Sequence, residues 1–77
     1  MTNQEKSELR RLVRHRIQLG YDVKSTITSL SGLGFVPSTV RKYYKIWKMI
    51  SIERKMKEWE ETNRLFEQEL ERQEGCK

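Results

Sequence analysis

The chain has 77 residues, of which 35% are apolar and none is alanine, so any core that it builds is small. Lys and Arg number 16 against 11 Asp and Glu, a net charge of +5 that is typical of a protein binding a polyanion. Most enzymes need a concave pocket with a broad apolar wall, which so short and polar a chain can hardly form. We therefore expect one domain, and no enzyme.

The charge is unevenly distributed along the chain. Residues 1–48 carry ten Lys and Arg against three Asp and Glu, a net +7, whereas residues 49–77 carry six against eight, a net −2. Such asymmetry indicates two tasks divided along the sequence. We expect a basic binding core in residues 1–50, an oligomerisation helix in residues 51–74 and a disordered tail in residues 75–77.

Residues 2–19 are predicted to form the first helix. Thr2 followed by Glu5 has the form of a capping box, and Gly20 suits a left-handed C-terminal cap. One face of this helix is apolar, formed by Leu9, Leu12, Val13 and Ile17. The opposite face, formed by Arg10, Arg11, Arg14 and His15, is either solvated or contacts phosphates.

Two further helices follow. Asp22 can cap a short second helix, which has apolar residues at Val23, Ile27 and Leu30. Residues 31–36 predict a turn because they include two glycines, and Pro37 suits the first turn of a third helix. The third helix begins with the apolar stripe Val40, Tyr43, Tyr44, Trp47 and Ile50. We predict that its three aromatic residues are core, with stacking on single-stranded nucleic acid as the alternative.

A second apolar stripe begins where the first ends. It consists of Ile52, Met56, Trp59, Asn63, Phe66 and Leu70. Their alternating spacing of four and three residues is the repeat of a coiled coil, and Asn63 then occupies a position where a buried amide fixes register. The stripe predicts a seam that joins two copies or more, in parallel or antiparallel orientation. A helix folded back on the same chain is the alternative.

The sequence does not determine where the helix that carries the second stripe begins. No Gly or Pro interrupts the chain between Ser38 and Glu74, so one long helix is possible. Alternatively the chain breaks near residues 49–51, where Ser51 caps a new helix with Glu53 in its first turn.

The run Gly34-Phe35-Val36-Pro37-Ser38-Thr39-Val40 resembles the helix-turn-helix superfamily of DNA-binding proteins. In that superfamily the pattern G-V-S-x-x-T-V opens the recognition helix, and here Val36 replaces the usual Ser. The resemblance covers about residues 22–48 and implies a third helix that enters the major groove, with Ser38 and Arg41 or Lys42 at base edges. The DNA-binding residues predicted on this basis are Ser38, Thr39, Arg41, Lys42, Lys45, Lys48, Arg10, Arg11 and Arg14.

No metal site, cofactor or nucleophile is expected. One His and one Cys, His15 and Cys76, cannot assemble a zinc site or a Cys-His pair within one chain. No apolar run resembles a signal peptide or a membrane span, so we expect an intracellular protein, in the cytoplasm or nucleoid of a bacterium or phage host or in a nucleus.

These expectations combine into an all-α protein with a three-helix helix-turn-helix core and a long C-terminal helix that forms a coiled-coil-like dimer seam. Its expected partners are double-stranded DNA and a second copy, within a possible larger nucleoprotein assembly. The expected role is a small transcriptional regulator or a DNA-binding accessory of a phage or mobile element. Small terminase subunits resemble this order of parts, so DNA packaging or segregation is an alternative. Another is a helical module that binds a protein or RNA and never contacts duplex DNA.

Overall fold

The computed structural model describes residues 2–53 and 58–75, and within them it contains four α-helices and no strand. They are α1 Asn3–Gln18, α2 Val23–Ser31, α3 Pro37–Glu53 and α4 Trp59–Gly75. The predicted all-α class is confirmed. The chain divides into two compact units, Met1–Lys45 and Ile46–Lys77, so the boundary falls inside α3, whereas the charge pattern placed it after residue 50.

The two N-terminal caps predicted from sequence are confirmed. At α1, the backbone N–H of Glu5 donates to Thr2 Oγ1 at 3.2 Å. At α2, the backbone N–H of Ser25 donates to Asp22 Oδ1 at 2.7 Å. This hydrogen bond is the main reason that the pKa of the Asp22 carboxyl lies below its ordinary value. Each cap satisfies a backbone donor that the helix itself leaves without a partner.

Helix α1 ends in a left-handed glycine, as its sequence predicts. Gly20 has φ +88°, and its N–H donates to the Ile17 carbonyl at 3.0 Å. The N–H of Tyr21 donates back to the Arg16 carbonyl, also at 3.0 Å. These two hydrogen bonds form a Schellman motif, which satisfies the last carbonyls of the helix and turns the chain sharply toward α2.

Helix α2 ends in the same way. Gly34 has φ +96°, and its N–H donates to the Ser31 carbonyl at 3.0 Å. The N–H of Phe35 donates to the Leu30 carbonyl at 3.4 Å. Residues 32–36 thus form the turn that connects α2 to α3. Of the two glycines in this turn, only Gly34 has a left-handed conformation that favours glycine, because Gly32 has φ −63°.

The first unit is built from α1, α2 and the N-terminal half of α3. Its buried residues are Leu9, Val13, Thr26, Leu30, Val40, Tyr43 and Tyr44. The hydroxyl of Tyr44 donates to the Tyr21 carbonyl at 2.9 Å, which fastens α3 to the turn between α1 and α2. Burial raises the pKa of Tyr44, and the nearby charge of Asp22 adds to this effect. The core role predicted for Tyr43 and Tyr44 is confirmed.

The second unit contains the C-terminal part of α3 and helix α4. Its buried residues are Ile46, Trp47, Ile50, Thr62, Phe66 and Leu70. The rings of Trp47 and Phe66 stack with their centroids 4.6 Å apart, and Trp59 lies 5.9 Å from Trp47. Thr62 is only 2% exposed, and its Oγ1 donates to the Glu58 carbonyl at 2.9 Å, so the buried hydroxyl has a hydrogen-bond acceptor. The core role predicted for Trp47 is confirmed.

The end of α3 and the start of α4 differ from the positions expected from the sequence. Ser51 lies inside α3, which continues to Glu53, so a break near residues 49–51 with Ser51 as a cap is wrong. A continuous helix over residues 51–74 is also wrong, because a separate helix begins at Trp59. Gly75 still belongs to α4, and Cys76 lies outside the described residues.

The predicted seam has different surroundings at its two ends. Phe66 is fully buried and Leu70 is 8% exposed within one chain, whereas Ile52 is 76% exposed. Trp59 and Asn63 are half-buried, and Met56 lies outside the described residues. Phe66 stacks on Trp47 of the same chain, which agrees with the alternative of a fourth helix packed on its own chain. A seam between two copies stays a prediction.

Candidate nucleic-acid interface

The candidate interface begins where α3 begins. The Val36 carbonyl accepts the first hydrogen bond of the helix, from the N–H of Val40 at 3.0 Å. Pro37 follows as the first helical residue, where its missing N–H costs nothing because that donor has no partner inside the helix. The start of α3 is therefore fixed by the backbone and by the proline ring.

One face of α3 in the first unit is polar and the opposite face is buried. Ser38, Arg41, Lys42 and Lys45 follow the spacing i, i+3, i+4, i+7, which places them on a common face of the helix. We call these four residues the α3 face. Ser38, Arg41 and Lys45 are exposed and Lys42 is half-buried. The buried side consists of Val40, Tyr43 and Tyr44, which hold the α3 face outward.

Two other residues predicted on α3 are not part of the α3 face as defined. Thr39 is half-buried, beside the core rather than opposite it. Lys48 is exposed and lies on the same side of the helix, three residues after Lys45, but it belongs to the second unit. The α3 face therefore contains four of the six α3 residues that the sequence predicted to bind DNA.

The charge around the α3 face has one sign over a long stretch of chain. No Asp or Glu occurs between Asp22 and Glu53, a range that includes all of α2 and the body of α3. Three cationic side chains therefore lie on two turns of helix, while Glu5 and Glu8 of α1 line a cavity together with Gly34 and Phe35, just before α3 begins. Cationic side chains clustered on one helix favour contact with phosphate oxygens. Arginine adds the planar pair of donors that matches a guanine edge.

The arginines predicted on α1 do not form one uniform face. Arg11 is exposed, whereas Arg10 and Arg14 are half-buried. Burial lowers the pKa of the Arg14 guanidinium below its ordinary value, although an arginine stays charged at neutral pH. The burial of Arg10 and Arg14 reaches the guanidinium groups, because the Nε atoms of both side chains are buried. His15 is exposed, as expected for a surface residue.

Sequence analysis missed the role of Arg16. Its Nε donates to Ser29 Oγ at 3.3 Å, and its guanidinium carbon lies 5.5 Å from the centre of the Tyr21 ring. Arg16 therefore links α1 to α2 and covers the turn between them. The sequence feature that could have indicated this role is the five-residue separation of Arg16 and Tyr21. A Schellman motif ending at Gly20 brings these two residues together.

The described residues show no arrangement for metal chemistry. Over residues 2–53 and 58–75, no three His, Cys, Asp or Glu side chains converge on a point where an ion could bind. Nor is any helix within these ranges long and apolar enough to cross a membrane.

Comparison of the chain with protein-family models, with curated proteins and with solved structures finds no match.

Proposed function

We propose that the chain binds double-stranded DNA by placing the α3 face in the major groove. The observation that carries this proposal is the row of exposed Ser38, Arg41 and Lys45 with the half-buried Lys42 between them, opposite a buried and mainly aromatic face of the same helix. A B-DNA major groove is about 12 Å wide and admits one α-helix, with side chains of its first turns at the base edges.

The four residues have different roles in this proposal. Ser38 and Arg41 lie closest to the start of the helix and contact base edges, with Lys42 beside them. Lys45, one turn further along, contacts phosphate. The exposed Arg11 of α1 is a further phosphate contact, whereas a role for Lys48, in the second unit, stays a prediction from the sequence. Phosphate contacts orient the protein on the duplex and base contacts determine the preferred sequence.

The assignment to the helix-turn-helix superfamily belongs to this proposal. It is supported by the order of parts in the first unit: α2, a turn with a left-handed Gly34, and a helix that starts at Pro37 and exposes cations. The role that fits such a small unit is a transcriptional regulator or an accessory protein of a mobile element, and the packaging of DNA is the alternative.

Selection from a random duplex pool tests the proposal. The protein is immobilised and the retained duplexes are sequenced, first alone and then with single-stranded RNA of equal length as competitor. Enrichment of one sequence that survives the RNA competitor is the expected result. Retention of RNA in preference to duplex would replace DNA with RNA as the ligand, and retention of neither would favour a protein partner.

Homodimerisation through the predicted seam is a separate proposal, and it requires a change in the packing of α4. Because Phe66 and Leu70 are buried within one chain, a seam that uses them between copies requires α4 to leave its own α3. Light scattering at tens of micromolar distinguishes the cases. A mass of two chains would support the seam, whereas a mass of one chain would contradict it and leave the α3 face unaffected.

A further inference from the structure

Two apolar residues at the start of α3 are exposed to solvent. Val36 is 55% exposed, and Pro37 is exposed as well. They directly precede Ser38, the first residue of the α3 face. A surface built to contact phosphates alone would gain nothing from carbon atoms at this place.

Val36 also occupies a position where its side chain does not serve the fold. Its carbonyl accepts the first hydrogen bond of α3, so Val36 is the N-cap residue. The caps of α1 and α2, Thr2 and Asp22, use a side-chain oxygen to accept a backbone N–H. A valine cannot do this, and it is among the poorest residues at an N-cap. An exposed residue that breaks a local folding rule is expected where function requires it.

The major groove offers one apolar group to such a surface. Thymine carries a C5-methyl at its major-groove edge, and no other base of unmodified DNA does. Small apolar side chains contact this methyl, while neighbouring donors such as Ser38 and Arg41 bind the nitrogen and oxygen atoms of adjacent bases. The start of α3 places both kinds of group in consecutive residues.

We propose that Val36 and Pro37 form an apolar edge that contacts the C5-methyl of a thymine and thereby selects that base at one position of the binding site. This inference rests on the proposed function and adds to it a specific base. Uracil lacks only this methyl, so removing it isolates the contact without changing the hydrogen bonds of the base pair.

The experiment uses the full chain and the duplex most enriched from the random pool. Each thymine in that duplex is replaced singly by uracil, and the affinity of each duplex is measured. Uracil at one position of each bound site weakens wild-type binding about fourfold, the value expected for one buried methyl group. Uracil at the remaining positions has no effect.

Variants of the two residues assign the contact. Val36→Ser and the double variant Val36→Ser with Pro37→Ser are compared with Leu19→Ser, which removes an apolar side chain of the same exposure, 56%, at the end of α1. The double variant binds the thymine and uracil duplexes equally, and Leu19→Ser keeps the fourfold difference. Loss of the difference in the double variant alone assigns the contact to Pro37 and still supports the edge.

Thermal melting separates this role from a structural one. Serine at residue 36 supplies the missing cap, so Val36→Ser melts no lower than wild type while its preference for thymine falls. The inference is overturned if wild type binds both duplexes equally, if the double variant keeps the fourfold difference, or if the enriched duplex contains no thymine. Failure to retain any duplex, with either base, would instead overturn the proposed function on which the inference rests.

Discussion

The two units of the chain are both helical, but they use their charged residues differently. The first unit carries nine Lys and Arg against three Asp and Glu, and the second carries seven against eight. Within the second unit, α4 has six Glu and two Arg. The first unit encloses its core with capped helices and exposes a cationic face, whereas the second is held by an aromatic stack. We infer that ligand contact belongs to the first unit.

The largest expected effect concerns the second unit. Trp47 is fully buried and stacks on Phe66, so Trp47→Ala removes a large side chain and leaves a cavity. We expect a loss of about 3–5 kcal/mol in the free energy of unfolding, measured by denaturant titration followed by circular dichroism. The half-buried Trp59 is the matched control, and Trp59→Ala should cost less. An equal or larger cost at Trp59 would contradict the account of this core.

The next effect concerns the α3 face. Arg41→Ala should weaken binding to the selected duplex by about 1–3 kcal/mol and relax the preference for one base, because Arg41 is assigned to a base edge. Arg64→Ala is the matched control, since it removes the same charge from an exposed position on α4. Affinities are compared at one fixed salt concentration. If the two variants lose affinity equally, the contrast between the units is wrong.

A smaller loss of stability is expected from a substitution in the turn that precedes α3. Gly34 has φ +96°, and a Cβ added there would meet no atom within 4 Å, so Gly34→Ala acts through backbone strain alone. We expect a loss of about 1–2 kcal/mol in the free energy of unfolding.

Gly32 provides the control for this substitution within the same turn. It is right-handed, and its added Cβ would lie 3.6 Å from the Ser29 carbonyl oxygen, an ordinary contact. Gly32→Ala should therefore be neutral or stabilising by up to about 1 kcal/mol, because alanine restricts the unfolded chain. The reverse order of the two effects in thermal or denaturant unfolding would contradict the turn conformation.

The smallest effect is a pH dependence of the first unit. The Ser25 N–H keeps the pKa of Asp22 below its unfolded value of about 3.9, so the ionised carboxylate stabilises the fold above that pH. This contribution is lost as the pH falls through the lower, folded pKa. Asp22→Asn keeps an N-cap oxygen but does not titrate. We expect melting temperature to fall more steeply below about pH 4 in wild type than in Asp22→Asn, and parallel curves would contradict this cap.

The caps and turns of the first unit were predictable because their signals are local. Thr2, Asp22, Gly20 and Gly34 each act on backbone groups within five residues, and all four have the predicted role. The exposure of the α3 face was predictable for a similar reason, since helical spacing alone separates Ser38 and Arg41 from the buried tyrosines.

The separation of α3 from α4 could not be predicted in this way. No Gly or Pro marks it, and the stacking of Trp47 on Phe66 joins residues 19 positions apart. Apolar residues spaced four and three apart suit a helix packed on its own chain as well as a seam between two chains. The half-burial of Arg10 and Arg14 was missed because a long cationic side chain is assigned to solvent by its charge, although here the side chains are buried as far as their Nε atoms.

The salt dependence of duplex binding tests most directly whether the α3 face lies on DNA. Two double variants are compared with wild type. The α3 variant combines Lys42→Ala and Lys45→Ala. The α4 variant combines Arg64→Ala and Arg72→Ala and removes the same charge from α4. For each, the logarithm of the association constant is plotted against the logarithm of salt concentration. The α3 variant should have a slope less negative than wild type by about 0.9 for each phosphate that the removed lysines neutralise, and the α4 variant should match wild type. A flat wild-type plot, or equal changes in both variants, would contradict the account.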